Sequence, residues 1–484
     1  MRLKKSLFLL STFFLFTSTI FAEITLPKIL GHNMVLQQKK KVAIWGKAAA
    51  GEKISVAFAG QNKSTITDKS GNWMINLNPL KASFEAREMT IKGQNTIVLK
   101  NILVGEVWLC SGQSNMEYAM RKYSNYETKT KGYHPPEDDL TKANNTNIRI
   151  FLDRRKYMDP DPEHLGWDAA MGRSLVDFSA VGYYFAKDLY NKLHVPIGMI
   201  SAAVPGSRIE PWIQTPKLDF EPKLKNGKLL DKLSNDGGDS GKFYDTMIQP
   251  LIPYTLKGFL WYQGESNCFL GENISYAYKL KTLIESWRND WKDKKLPFYF
   301  VQIAPYNYSA SKDKPLTTET LPKFWEAQAL NLKLKNTALT TITDLTDTIT
   351  ELHPGYKWEV GRRLSLIAAN KAYEQKNVVC SGPVFQKMKI VNNTIEIRFS
   401  NTGSGLASRD GKSLSWFSIA GANGEYVPAK AEIKGNTVIV SSPEIQHPYH
   451  VRFGWNEAAQ SNFINKEGLP AVPFRSDNPW KKLF

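Results

Sequence analysis

Ser114 stands in Trp108-Leu109-Cys110-Ser111-Gly112-Gln113-Ser114-Asn115-Met116, where an apolar strand runs straight into a Gly-Gln-Ser-Asn turn. A nucleophilic serine must stand clear of a sheet at a tight turn, beside a backbone N–H free to bind an oxyanion. A strand end followed by a helix start supplies both. The same position also suits a serine that caps a helix. His353 is the histidine best placed to serve as a base: it lies in Asp344-Leu345-Thr346-Asp347-Thr348-Ile349-Thr350-Glu351-Leu352-His353-Pro354, with carboxylates upstream and a helical pattern after it. Such a setting suits a general base oriented by an acid. Of the other six histidines, His32, His447 and His450 fall in β-rich stretches, and His134, His164 and His194 lack this setting.

Two further strand ends carry polar clusters. In Ser201-Ala202-Ala203-Val204-Pro205-Gly206-Ser207-Arg208, Gly206 allows a close backbone approach and a donated N–H. Arg208 and the nearby Trp212 either contact substrate or form a salt link and a packed aromatic. In Leu260-Trp261-Tyr262-Gln263-Gly264-Glu265-Ser266-Asn267, amides and a carboxylate follow a dry strand. An amide N–H2 of Gln263 or Asn267 there can donate to a developing oxyanion, where one preorganised donor is worth about 3–4 kcal/mol.

The elements that must position these residues read as an α/β fold. Candidate strands at Glu106–Cys110, Pro196–Ala202, Gly258–Tyr262, Pro297–Ile303 and Ala338–Thr343 alternate with amphipathic segments at Val181–Lys192, Ile274–Trp291, Lys323–Leu334 and Lys357–Tyr373. All three strand-end motifs then lie at the carboxyl edge of a parallel sheet, where open α/β folds bind ligands. Arg121–Asp161, rich in Pro, Asn, Asp and Lys, reads as a long irregular insertion. Residues 23–104 show short alternating runs punctuated by Gly and Asn, as in a β-sandwich. After residue 378 β character returns, at Lys387–Val391, Thr394–Phe399, Thr437–Val440 and Tyr449–Phe453. The expected division is residues 1–22 as a signal peptide, 23–104 as an N-terminal β-sandwich module, 105–377 as a catalytic domain and 378–484 as a C-terminal β module. A chain of 484 residues exceeds what one core usually serves.

Four motifs in order, Ser-Gly-Gln-Ser-Asn-Met at 111–116, Phe-Ser-Ala-Val-Gly-Tyr-Tyr-Phe-Ala at 178–186, Trp-Tyr-Gln-Gly-Glu-Ser-Asn at 261–267 and the His353-Pro354 segment with Lys357 and Gly-Arg-Arg-Leu behind it, closely resemble the sialate O-acetylesterase family of SGNH (GDSL-like) hydrolases. The likeness extends to Asn33-Met34-Val35-Leu36-Gln37 and Phe453-Gly454-Trp455. The resemblance implies a flavodoxin-like three-layer core with accessory β-sandwich modules at both ends. It also implies a serine carbohydrate esterase that needs no metal or other cofactor and removes O-acetyl groups from sugars such as sialic acid or acetylated xylan. It assigns Ser114 as nucleophile, His353 as base, and Gly206 with Asn267 or Gln263 as oxyanion donors beside the Ser114 N–H. Hydrolases of this type carry Asp three residues before the His, whereas this chain has Thr350. Glu351, Glu265, Asp344 and Asp347 are the substitutes for that acid, or the site works as a Ser–His dyad. A non-catalytic carbohydrate-binding protein with a degenerate core is the rival reading.

Composition narrows the classes further. With 42% hydrophobic and 23% charged residues, the chain is an ordinary folded protein and not a disordered one. Met1-Arg2-Leu3-Lys4-Lys5, an apolar run from Leu7 to Phe16 and Ala22 match a secretory signal, and the run is short for a membrane anchor. The product is then expected in the periplasm or outside the cell, with no membrane span in the mature chain. Losing Arg2, Lys4 and Lys5 takes the formal charge from +17 to +14. The remaining lysines are scattered and form no nucleic-acid-binding pattern, so nucleic acid is not the expected partner. An acidic substrate or anionic envelope suits this charge, as does a solvated lysine-rich surface. Three cysteines, Cys110, Cys268 and Cys380, make an odd count that excludes a disulfide scaffold; Cys110 and Cys268 flank the two strongest motifs, either close together or as separate buried thiols.

Overall fold

Seven strands precede Ser114: β1 (Val35–Gln37), β2 (Val42–Lys47), β3 (Lys53–Phe58), β4 (Gln61–Ile66), β5 (Asn72–Leu77), β6 (Ser83–Lys92) and β7 (Thr96–Gly112). They belong to a computed structural model that describes residues 23–123, 133, 136, 139–153, 166–220, 240–312, 314–482 and 484. Strand β3 shows why the alternating runs fold as strands: Ile54, Val56 and Phe58 all point to one face and are buried. β3 pairs antiparallel with β4 and β6, and β2 with β5.

β7 is 17 residues long and belongs to two neighbourhoods. Its first part pairs antiparallel with β6 and its middle runs parallel to β1, with Val35 opposite Leu103. From Glu106 to Gly112 it lies between two other parallel strands. Exposure follows this change: residues alternate up to Asn101 and are buried without a break from Ile102 to Gly112, as befits a strand covered on both faces. The expected boundary at 104/105 therefore falls inside one continuous strand, and a single apolar core reaches from Ile24 to Ala368 and takes in Val472.

The central sheet adds β8 (Ile148–Asp153), β9 (Trp167–Ala169), β10 (Ile197–Ala203), β11 (Gly258–Tyr262), β12 (Phe298–Val301) and β13 (Thr337–Thr340). The order is β13-β12-β11-β7-β10-β8-β9, parallel except for β9, which runs antiparallel to β8. Helices α1 (Ser114–Glu117), α2 (Ala180–Leu193), α3 (Glu265–Phe269), α4 (Ile274–Asp290), α5 (Thr320–Leu330) and α6 (Lys357–Ile367) connect and cover it. Ser179 caps α2 by accepting the Gly182 N–H, and it also donates to the Met116 carbonyl at 2.6 Å, which ties the cap to the Ser114 turn.

One expectation needs correction. The segment Arg121–Asp161 is not irregular throughout, since Ile148–Asp153 forms the parallel strand β8, and Ile148, Ile150 and Phe151 are buried. Its apolar alternation is short and bordered by Asn and Pro, so local composition outweighed it. Residues 124–132, 134–135, 137–138 and 154–165, which include His134 and His164, lie outside the described residues, as do residues 1–22.

The C-terminal strands are β14 (Val384–Val391), β15 (Thr394–Ser400), β16 (Leu406–Ser408), β17 (Phe417–Ala420), β18 (Tyr426–Pro428), β19 (Lys430–Lys434), β20 (Thr437–Ser441), β21 (His450–Phe453), β22 (Phe463–Asn465) and β23 (Phe474–Arg475). Two antiparallel sheets, β14-β15-β20-β19 and β18-β17-β21-β23, share a core of their own around Ile397, Ile419, Val438 and Phe463. Ion pairs fasten them to the central unit: Arg409 to Asp344 and Arg475 to Glu326, each at 2.7 Å, and Arg452 to Glu319 at 3.0 Å. Among the described residues no helix is long and apolar enough to cross a membrane.

Candidate active site

Three polar turns meet at the carboxyl ends of adjacent strands, Gly112–Ser114 after β7, Val204–Ser207 after β10 and Gln263–Asn267 after β11. The chain moves from β7 to β10 on one side and later to β11 on the other, so the strand order switches at β7. Gly112 makes the turn possible. Its φ is +141°, and a Cβ there would sit 2.0 Å from the Tyr262 carbonyl oxygen. Gln113 occupies the helix-cap position with no side-chain cap bond, so Ser114 is the first helical residue and not a cap. Its hydroxyl lies 2.7 Å from His353 Nε2.

The histidine loop is clamped from the Ser114 side. Asn115 Nδ2 donates to the Leu352 carbonyl at 3.0 Å and to Glu265 Oε1 at 2.5 Å. Lys357 Nζ donates to Asn115 Oδ1 at 2.6 Å and to the Pro354 carbonyl at 2.7 Å. The carbonyls on both sides of His353 are thus held by the residue that follows Ser114 and by a lysine at the start of α6. Burial pushes the Lys357 ammonium down to about 7, against the pull of Glu265 and Glu351. It sits 4.8 Å from the Tyr118 ring centre and 5.4 Å from that of Tyr262. Burial, together with the charges of Lys357 and Lys122, pushes His353 down to about 4. The imidazole is neutral at pH 7 and ready to accept a proton.

None of the four expected acids bonds to this histidine, whose one hydrogen bond among the described residues is to Ser114. Glu265 is buried and spends its carboxylate on Asn115. Burial works to raise the Asp344 carboxyl, but Arg363 and Arg409 outweigh it and hold it at about 2, so Asp344 is a structural anion. Asp347 accepts from the Tyr356 hydroxyl. Glu351 is partly buried, and its carboxylate makes no hydrogen bond among the described residues; burial raises its pKa and Lys357 opposes that.

The oxyanion donors divide differently from the expectation. The Ser114 N–H opens a helix and has no intrahelical acceptor. Gly206 is exposed at φ +68°, and its N–H has no acceptor among the described residues. Asn267 and Gln263, however, are locked below the turn. Asn267 Nδ2 donates to Glu210 Oε2 at 3.2 Å and Glu272 Oε1 at 3.1 Å, and its Oδ1 accepts from Gln263 Nε2 at 2.8 Å and from the Ile209 N–H at 3.0 Å. Gln263 Oε1 accepts from the Tyr276 hydroxyl at 2.8 Å. Lys279 completes this floor, pairing with Glu210 at 2.6 Å and Glu272 at 2.9 Å. Both amides are therefore occupied in holding the Gly206 turn, and neither is free for an oxyanion. Asn267→Ala is expected to lower unfolding free energy by about 3 kcal/mol in urea denaturation, because it leaves the buried Ile209 N–H without its acceptor and takes one donor from each of Glu210 and Glu272. Loss of an oxyanion donor would instead remove about 10²–10³ from kcat.

Arg208 is partly buried on the same turn. Trp212 is a packed aromatic, donating to Ser207 Oγ at 3.1 Å and lying against Phe243 and Trp261. Cys110 and Cys268 are separate buried free thiols and Cys380 is also free; burial raises the Cys110 thiol to about 12, which leaves it inert. The residues that sequence reasoning passed over are Asn115, Glu210, Glu272 and Lys279. Lys279 had a signal, a cation set between the apolar Tyr278 and Leu280 of α4.

A family model for carbohydrate esterase, sialic acid-specific acetylesterase, matches residues 104–368. Sialate O-acetylesterases of Pongo abelii and Homo sapiens are each 29% identical to this chain, over 396 and 397 residues, covering 75% of it and 73% of their own length. The crystal structure of a carbohydrate acetylesterase from Xanthomonas citri superposes with a TM-score of 0.81 at 31% identity, covering 94% of this chain and 100% of that one. The serine–histidine contact at the sheet switch point and these likenesses agree: the chain is an esterase and belongs to the carbohydrate esterase family of sialic acid-specific acetylesterases.

Proposed function

We propose that the chain hydrolyses O-acetyl esters of sugars through an acetyl-Ser114 intermediate, and the 2.7 Å contact between Ser114 Oγ and His353 Nε2 carries this reading. His353 takes the hydroxyl proton as Oγ attacks the acetyl carbon. The tetrahedral oxyanion accepts from the Ser114 and Gly206 N–H groups. On collapse the bond to the sugar oxygen breaks, and His353 returns its proton to that oxygen. Water, deprotonated by His353, then attacks the acetyl-enzyme, acetate leaves and the proton goes back to Ser114. No acid orients the imidazole in this scheme, and the Asn115–Lys357 clamp holds its loop instead.

The strand order β10-β7-β11-β12-β13 supports a flavodoxin-like three-layer core, with β-sandwich modules formed by residues 23–104 and 378–484 around a catalytic unit at 105–377. Residues 1–22 direct export in this reading, so the reaction takes place in the periplasm or outside the cell. O-acetylated sialic acid and acetylated xylan both fit a basic chain, since each brings or borders carboxylates. Acetate release from an O-acetylated sialic acid and from an acetylated xylo-oligosaccharide tells them apart, and a rapid acid quench followed by peptide mass mapping looks for acetyl on Ser114. An acetyl group found on another residue, or none during turnover, overturns the mechanism.

The histidine also sets the pH response. Protonated His353 accepts nothing, so kcat/KM is expected to fall on acidification with a midpoint near pH 4, well below the usual histidine value of about 6.5. A pH-rate profile with the midpoint near 6.5 would contradict this.

A further inference from the structure

We propose that the cavity between the C-terminal strands and the start of α5 is a second, non-catalytic site that takes a neutral pyranose unit of a polysaccharide. The cavity holds about 430 Å³, within the usual range for small-ligand sites, and its walls include Trp416, Tyr426, Arg452, Trp455, Asn456 and Glu319.

Trp416 is the first observation. It is 41% exposed, and its backbone is left-handed at φ +65°, a conformation that bulky side chains avoid. Its carbonyl accepts the Gly454 N–H at 3.0 Å, a bond any residue could accept, so Gly or Asn would serve the backbone at less strain. A bulky indole kept exposed in a strained conformation beside a cavity points to a use for its face. An indole face is electron-rich, and the C–H face of a pyranose ring is its natural complement.

The walls specify neutrality. The Arg452 guanidinium lies 3.7 Å from the Tyr426 ring centre and 5.5 Å from that of Trp455. Glu319 at 3.0 Å and Asp477 at 3.2 Å already meet its charge, so the cavity offers no spare cation to a carboxylate or sulfate. What is left over are donors. Asn456, whose Oδ1 accepts the Ala458 N–H at 2.9 Å, makes no bond through its amide N–H2 among the described residues, and both of its N–H groups can donate to the hydroxyl and ring oxygens of a sugar. A neutral sugar matches all of these features, and it requires nothing of Ser114 or His353.

Calorimetric titration of the full chain with unacetylated xylohexaose and mannohexaose tests the site. At least one oligosaccharide should bind, and Trp416→Ala should weaken it by tenfold or more, while Trp416→Phe keeps most of the affinity. Trp416→Gly should lose the sugar yet melt at a higher temperature, because it relieves the left-handed backbone, and this separates a lost site from a damaged fold. Unchanged affinity in Trp416→Ala, or no binding of either oligosaccharide to the unaltered chain, overturns the proposal. Binding of N-acetylneuraminic acid that depends on Trp416 would overturn the assignment to neutral sugars.

Discussion

Ser114→Ala and His353→Ala are each expected to lower kcat for acetate release by about 10⁴-fold or more, and the double variant to be no worse than the poorer single one. The reason is that the pair works as a unit: without His353 the hydroxyl keeps its proton, and without Ser114 the base has nothing to activate. KM should move little, since neither residue is needed to hold the sugar. Activity left in either variant would come from the Ser114 and Gly206 N–H donors, whose geometry is set by the backbone. Additive losses in the double variant would mean that the two side chains act in separate steps, and the proposed mechanism would fail.

The second large effect is expected away from the reacting atoms. Lys357→Met removes both the bond to Asn115 Oδ1 and the bond to the Pro354 carbonyl, and so frees the loop that carries His353. A misplacement of about 1 Å costs on the order of 10² in rate, so kcat should fall by about that factor with KM nearly unchanged. Lys357 is also, after burial, the largest cause of the depressed histidine pKa. Removing its charge should raise the acid midpoint of kcat/KM from near 4 towards the ordinary histidine value. Asn115→Ala should reproduce the fall in kcat but leave that midpoint close to 4, because the lysine charge remains. A Lys357→Met enzyme that merely melts earlier, with its acid midpoint unmoved, would reduce the lysine to a packing residue.

Much of the candidate site was legible from residues close together in the chain. Gly112, Ser114 and the dry strand before them form one short segment, and turn chemistry and hydrophobic pattern both act at that range. His353 stood out by its setting among seven histidines. The amides of Gln263 and Asn267 show where such reading stops. Their type and position suit an oxyanion hole, but their role is decided by Glu210, Glu272 and Tyr276, partners that periodicity does not reveal. The acid question went the same way: four carboxylates lay at plausible spacing, and each was claimed by a different partner or by none. The fold followed suit, with the helices and central strands near their expected places, while β8 was hidden by its neighbours and the length of β7 by a change of surroundings halfway along it.

That long strand bears on how the molecule is assembled. As the chain is made from its N-terminus, β1 to β7 can close on one another early, since their pairings join residues within the first 105 or so. The half from Glu106 to Gly112 must wait for residues 197–203 and 258–262. Until those arrive, a finished sheet carries a protruding apolar strand with both edges open, ready to pair with any similar strand that meets it first. The strand that ends at the Ser114 turn is thus completed only when later strands arrive, and an unfinished chain leaves its apolar edges open to other strands.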